Sequence, residues 1–183
     1  MYKLISKVLV ILMNILTVII AILAFCNNNY SRVLTYIAIF PILLVPFIIN
    51  KTKYKLTDLE TMMYYIFIFL ADFLGCVVNL YNTTSWYDIF VHFISGIATF
   101  ILALIIYKHV SKDNNKILKL IFCMGIVALI AILWELFEYF MDTCIGMDLQ
   151  HTLDTGVTDT MQDMLVALLG GLISSIYIGL KKQ

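Results

Sequence analysis

Six apolar runs divide this chain almost without remainder, roughly Leu4 to Cys26, Val33 to Asn50, Thr61 to Tyr81, Asp88 to Val110, Ile117 to Phe140 and Thr160 to Leu180. Each approaches the about 20 residues that cross about 30 Å of hydrocarbon. Inside lipid every backbone N–H and C=O has to be satisfied within the segment, which leaves the helix as the economical solution for isolated apolar runs. The expected fold class is therefore all-α, a polytopic membrane helical bundle of six transmembrane helices. A mean hydropathy of +0.97, with 62% apolar and only 13% charged residues, excludes an ordinary soluble domain. No linker rich in Gly, Pro or Ser and no internal repeat interrupts the pattern, so residues 1–183 read as a single transmembrane domain.

The charges are sorted by end. Lys3 and Lys7 precede the first run, Lys51, Lys53 and Lys55 follow the second, Lys108, Lys112, Lys116 and Lys119 bracket the turn after the fourth, and Lys181 and Lys182 close the chain. With six spans all these points share one side, and the excess of Lys and Arg in cytoplasmic loops places both termini in the cytoplasm. Arg32 alone falls opposite. The first run reads as a retained helix rather than a cleaved signal, because bulky Phe25 stands where lipoprotein processing wants a small residue.

The acidic residues gather at the other ends: Asp88, Glu135, Glu138, Asp142, Asp148, Asp154, Asp159 and Asp163. Asp88 and His92 are four apart on the fourth span, Glu135 and Glu138 three apart on the fifth, and Asp159 and Asp163 four apart on the sixth. Each spacing puts both members on one helix face. Three such faces turned to one interior would converge five carboxylates and an imidazole, the donor set that helical bundles use for hard or borderline divalent ions. The candidate metal ligands are thus Asp88, His92, Glu135, Glu138, Asp159 and Asp163, the ion being Mg, Mn, Ca or Zn. Thr160 to Asp163 also has the form of a capping box, and Glu135 and Glu138 fall in the last turns of their expected helix, an unfavourable place for anions.

Asp72 lies roughly 18 Å along the third span from Glu60, close to mid-bilayer. With His151 and Asp154, in the loop from Met141 to Thr158, it is a candidate substrate-binding residue. Pro41 and Pro46 withhold backbone donors from the carbonyls of Ile37 and Ile42. Gly170 and Gly171 suit close helix packing. Cys26 and Cys144 fall near the same face, where a disulfide is geometrically possible.

Three blocks carry a resemblance: Trp86 to Phe93, Trp134 to Tyr139, and Asp159 to Gly170. In order and spacing they resemble the motif blocks of the YjdF-like family of bacterial inner-membrane proteins, which implies a small helical bundle in the bacterial cytoplasmic (inner) membrane and no assigned activity. A weaker similarity runs to VanZ-like proteins, associated with glycopeptide resistance and the cell envelope. The chain departs from that pattern at Ala167 and Glu138.

The residues support a metal-dependent intramembrane hydrolase or transferase acting on a membrane lipid or lipid-linked substrate, with His92 or Glu135 as general base. The alternatives are a cation-binding or transport protein and a non-catalytic envelope protein whose polar cluster fixes helix packing. No nucleic-acid partner is expected, and the residues name no protein partner.

Overall fold

Apolar continuity makes the helices, and polar or glycine positions end them. The structure, a computed structural model, describes residues 2–28, 30–53, 55–111, 115–146 and 148–180, without the side chains of 3, 30–32 and 34–39. Lys112, Lys181 and Lys182, and the side chains of Lys3 and Arg32, therefore lie outside the described residues, as does the carbonyl environment expected at Ile37. Among the described residues the regular structure is helical throughout. Five helices are long and apolar enough to cross a membrane: α1 (Tyr2–Cys26), α3 (Asp58–Ile68) with the π-helical stretch that continues it (Phe69–Val77), α5 (Tyr87–Val110), α6 (Lys116–Ile145) and α8 (Thr158–Leu180). The expected second span coincides with α2 (Tyr30–Ile49), of which Phe40–Ile49 is apolar. Two single-turn helices, α4 (Leu80–Thr83) and α7 (Thr152–Thr155), lie in connections.

The chain divides into two compact units, Met1–Tyr87 and Asp88–Gln183. In the first, α1, α2 and α3 pack around Met13, Leu43, Tyr65, Ile68 and Phe73. Its entry into α3 is a true capping box: Thr57 Oγ accepts from the Glu60 amide, and the Glu60 carboxylate accepts from the Thr57 amide. The helix α2 continues through both prolines. The carbonyl of Ile42, deprived of its helical donor by Pro46, accepts the Tyr64 hydroxyl at 2.7 Å, and Leu43 accepts that of Tyr65 at 3.0 Å. Tyr64 on α3 thus supplies what Pro46 withholds, and Tyr65 adds a second hydroxyl donor at the next carbonyl.

The third span begins at Asp58 and leaves the α-helical pattern at Phe69, where sequence periodicity gave no warning. Within the π-helical stretch Val78 N–H reaches back to the Phe73 carbonyl, and the Leu70 carbonyl accepts the Tyr87 hydroxyl at 2.8 Å. Gly75 leaves room for the Tyr81 ring, which a Cβ there would overlap. Asp72 sits in this stretch, half-buried.

In the second unit α5 and α8 start at one end and α6 runs back toward it. Phe100, Ala103, Cys123 and Val127 form the buried centre, flanked by Leu104, Leu120, Met124 and Leu168. The large side chains of Leu129, Ile132, Leu133 and Leu136 are exposed, an apolar exterior suited to lipid. Small residues set the helix separations, as the glycine pair suggested: a Cβ at Gly170 would run into the Phe93 carbonyl of α5, and one at Gly96 into the Ala167 carbonyl of α8. Gly171 faces Val127 and Met124 of α6. Backbones that approach this closely gain dispersion contacts that lipid cannot compete for.

Three local expectations need correction. The helix α6 does not stop near Phe140 but runs to Ile145, about 45 Å in all, so Glu135 and Glu138 sit two to three turns before its end rather than in its last turns. Thr160 does not cap a helix, because α8 already begins at Thr158. Cys26 and Cys144 are both free thiols.

Gly96→Ala and Gly170→Ala should each destabilise the protein by about 1–3 kcal/mol, since the backbones must separate to admit a methyl group. Gly125, with open space around the same position, should tolerate alanine without loss. Thermal unfolding in detergent checks this, and three equal responses would contradict the packing described.

Candidate functional site

The first helical turns of α5 and α8 bring their polar residues to one end of the second unit, remote from Lys108, Lys116 and Lys119. Asp88 and His92 occupy the first two turns of α5, and Asp159 and Asp163 those of α8, where the positive ends of the helix dipoles favour carboxylates. His92 Nε2 lies 3.4 Å from Asp88 Oδ1 and 3.9 Å from Asp163 Oδ2. Asp88, His92 and Asp163 each offer a ligand atom within 4.8 Å of the others. So do Asp88, His151 and Asp159. Four of the six candidate ligands therefore share a region about Asp88, and His151, expected to bind substrate, stands among them.

Glu135 and Glu138 belong to neither group. Glu138 is half-buried and accepts the indole N–H of Trp134, one helical turn away, at 2.7 Å. Glu135 is 5% exposed and turns instead toward Gln150. The Gln150 amide nitrogen reaches the Glu135 carboxylate and backbone carbonyl, each at 3.3 Å, and the Thr160 hydroxyl at 3.1 Å. One buried amide thereby ties α6 to α8. Asp154 is exposed on α7, away from both groups, and Asp72 belongs to the first unit.

The loop reaches this position because α6 ends in a defined way. Gly146 closes the helix in the left-handed conformation, φ 76°. Asp142, still inside α6, accepts the amides of Leu149 at 2.7 Å and Gln150 at 3.0 Å. That clamp delivers Gln150 to the crevice and His151 just beyond it. His151 has φ 47°, a left-handed conformation uncommon for a side chain larger than glycine. Its carbonyl accepts the amides of Asp154 and Thr155 as α7 begins.

Three buried carboxylate oxygens have no hydrogen-bond partner: Glu135 Oε1, Asp159 Oδ2 and Asp163 Oδ1. Asp163 is 2% exposed. No Lys or Arg side chain among the described residues pairs with these groups. Two carboxylates with oxygens about 4.8 Å apart repel by roughly 3–4 kcal/mol at an effective dielectric near 20. Protons or a cation must offset that. The donors, carboxylate oxygens with one imidazole per group, fit divalent ions of hard to borderline character. Ser95 is not poised as a nucleophile, because its hydroxyl donates to the His92 carbonyl at 2.7 Å.

Beside Glu135 lies a cavity of about 380 Å³, its wall made by Ile132, Leu136, Val157 and Met164 with Glu135 and Gln150 at its polar edge. Gln150, Thr160 and Asp142 were missed from sequence. In the sequence Asp142 reads only as one of the acidic residues and Thr160 only as the start of a capping box, while uncharged Gln150 carries no spacing signal at all.

Gln150→Leu should leave the Glu135 carboxylate and the Thr160 hydroxyl without their shared donor, lowering stability by about 1–3 kcal/mol. Gln150→Glu should be no better, because it adds another anion. An unchanged melting temperature in both variants would remove Gln150 from its tying role.

No curated protein and no solved structure matches this chain. Residues 8–182, well beyond the three blocks between Trp86 and Gly170, match the model of the family described as predicted membrane protein (DUF2238). The chain belongs to that family.

Proposed function

We propose that this is a six-span, single-domain protein of the bacterial inner membrane, with both termini cytoplasmic, whose acidic pocket opens to the extracytoplasmic leaflet, holds a divalent cation and acts as a hydrolase or transferase on a lipid-linked or envelope substrate. The observation that carries this reading is the set of buried, unpartnered oxygens on Glu135, Asp159 and Asp163. Such groups are stable near hydrocarbon only if protonated, paired or bound to a cation. Asp88, His92 and Asp163 would hold the ion, whether Mg, Mn, Ca or Zn. When bound, it would supply Lewis acidity at the reacting oxygen and an acidified water.

The chain's own groups divide the remaining work. His92 Nε2 faces Asp88 and Asp163, which commits that nitrogen to the cluster. Glu135 keeps one oxygen uncommitted at the edge of the cavity, and it is the better general base of the two. It would take the proton of the attacking water as the ester bond to phosphorus or acyl carbon breaks, and return it to the leaving oxygen. The apolar wall beside it suits the chain of a lipid substrate. Glu138, Asp72 and Asp154 have no part in this scheme.

A second reading, a non-catalytic cation-binding or structural protein, draws on the Gln150 tie between α6 and α8, which by itself would fix the packing. Glu135→Gln separates the two. Catalysis predicts hydrolysis of phosphoester or acylester lipids in mixed micelles, reduced by about 10²-fold or more in the variant with melting unchanged. Lost folding with no selective loss of turnover supports the structural role.

Removal of metal by chelation should lower the melting temperature, and Mn(II) at about 100 times its dissociation constant should restore about 2.7 kcal/mol. Asp163→Asn should abolish that gain and Asp154→Asn should keep it. Identical melting with and without metal would contradict cation binding.

A further inference from the structure

Asp88 is counted twice in the geometry of the polar end. With His92 and Asp163 it makes one group of converging ligand atoms, and with His151 and Asp159 it makes another. The pairs beyond it are supplied in register: Asp159 and Asp163 stand one turn apart on α8, and each group receives one of them. Each group also contains one buried carboxylate oxygen with no partner, Asp163 Oδ1 in the first and Asp159 Oδ2 in the second. Asp163, 2% exposed, already has its other oxygen turned to His92.

We propose that the cluster is a two-cation centre, with Asp88 as the carboxylate shared between an ion held by His92 and Asp163 and an ion held by His151 and Asp159. This rests on the reading of the cluster as a cation site and extends it. A carboxylate has two oxygens and bridges ions about 3.5–4 Å apart in other two-metal sites. The loop explains the second imidazole. Asp142 fixes the backbone at Leu149 and Gln150, and His151 follows in its left-handed conformation with a ring nitrogen within 4.8 Å of the carboxylate atoms of Asp88 and Asp159.

Charge then indicates a substrate class. Three aspartates with two neutral imidazoles carry a formal charge of −3, so one divalent ion leaves the centre anionic and two make it cationic. A cationic centre attracts an oxyanion where the described residues supply no Lys or Arg. A phosphate ester is the class that fits, its oxygens spanning both ions while its apolar portion lies toward the wall formed by Ile132, Leu136, Val157 and Met164. Acyl esters, which carry no oxyanion before attack, have less use for two ions.

The test uses the full chain in detergent, freed of metal, loaded with Mn(II) and desalted, then examined for metal content and by electron paramagnetic resonance. Two Mn(II) per chain with an exchange-coupled spectrum are expected. His151→Ala and Asp159→Asn should each retain one ion, with the hyperfine spectrum of an isolated Mn(II). Asp88→Asn should lose the coupling, and Asp154→Asn, an exposed acid outside both groups, should retain two coupled ions. Monodispersity and circular dichroism establish that each variant is folded. One ion per chain in the wild type would overturn the two-cation centre while leaving single-ion binding intact. No bound ion would overturn both. Equal loss from Asp154→Asn and Asp159→Asn would show binding to surface acids and overturn the assignment. Inorganic phosphate should perturb the coupled spectrum of the wild type and leave that of Asp159→Asn unchanged, and failure to perturb it would overturn the phosphate-ester assignment.

Discussion

Carboxylates gathered at the edge of hydrocarbon have to be compensated. Here no Lys or Arg side chain among the described residues pairs with them, and within the second unit Lys108, Lys116 and Lys119 stand at the other helix ends. Two histidines are the basic groups placed among the aspartates. The helix dipoles of α5 and α8 favour the acids that begin them, by a few tenths to about 1 kcal/mol each. That is smaller than the repulsion between neighbouring carboxylates, so dipoles alone do not balance the cluster. A cation would, and on the proposed reading the remaining features of the second unit are means of holding it.

Those means are mostly packing. Glycines at 96, 170 and 171 let α8 approach both neighbouring helices, and the aspartates of α8 thereby come within reach of those on α5. Further along the chain, the long α6 carries Asp142 past the level of Glu135, and from there its carboxylate reels back the loop that holds Gln150 and His151. The first unit handles its own polar problem by a different route. Tyrosine hydroxyls reach carbonyls that proline or a widened helix has set free.

Much of this was legible from spacing. Acid and imidazole four residues apart on one expected helix, and two acids four apart on another, placed Asp88, His92, Asp159 and Asp163 on converging faces, because helical geometry is local and the apolar runs were unambiguous. Glu135 and Glu138 stand outside both ligand groups but close enough to interact electrostatically with His92. Their side chains bond to Gln150 and Trp134, contacts with different origins: one depends on a loop fold, the other on a spacing of four along the same helix. The end of α6 was misplaced because Asp142, Thr143 and Cys144 look like loop residues, yet a helix standing clear of hydrocarbon admits them. The π-helical stretch from Phe69 had no signal in the apolar pattern, and the contacts made there, Gly75 against Tyr81 and Leu70 with Tyr87, leave no periodic trace. His151 was expected at a substrate site with Asp72 and Asp154, and it lies beside Asp88 and Asp159. Its position follows from the Asp142 clamp, which links residues seven and eight apart and leaves no periodic trace.

What unites the polar end is the meeting of Asp88 with both histidines and both aspartates of α8. A crystal structure of the protein soaked in Mn(II), with anomalous data at the manganese edge, examines that meeting directly. Density peaks about 2.0–2.3 Å from the carboxylate oxygens and imidazole nitrogens beside Asp88 are the predicted result. A map without such peaks, with Asp88, Asp159 and Asp163 turned outward to separate headgroups, would contradict it.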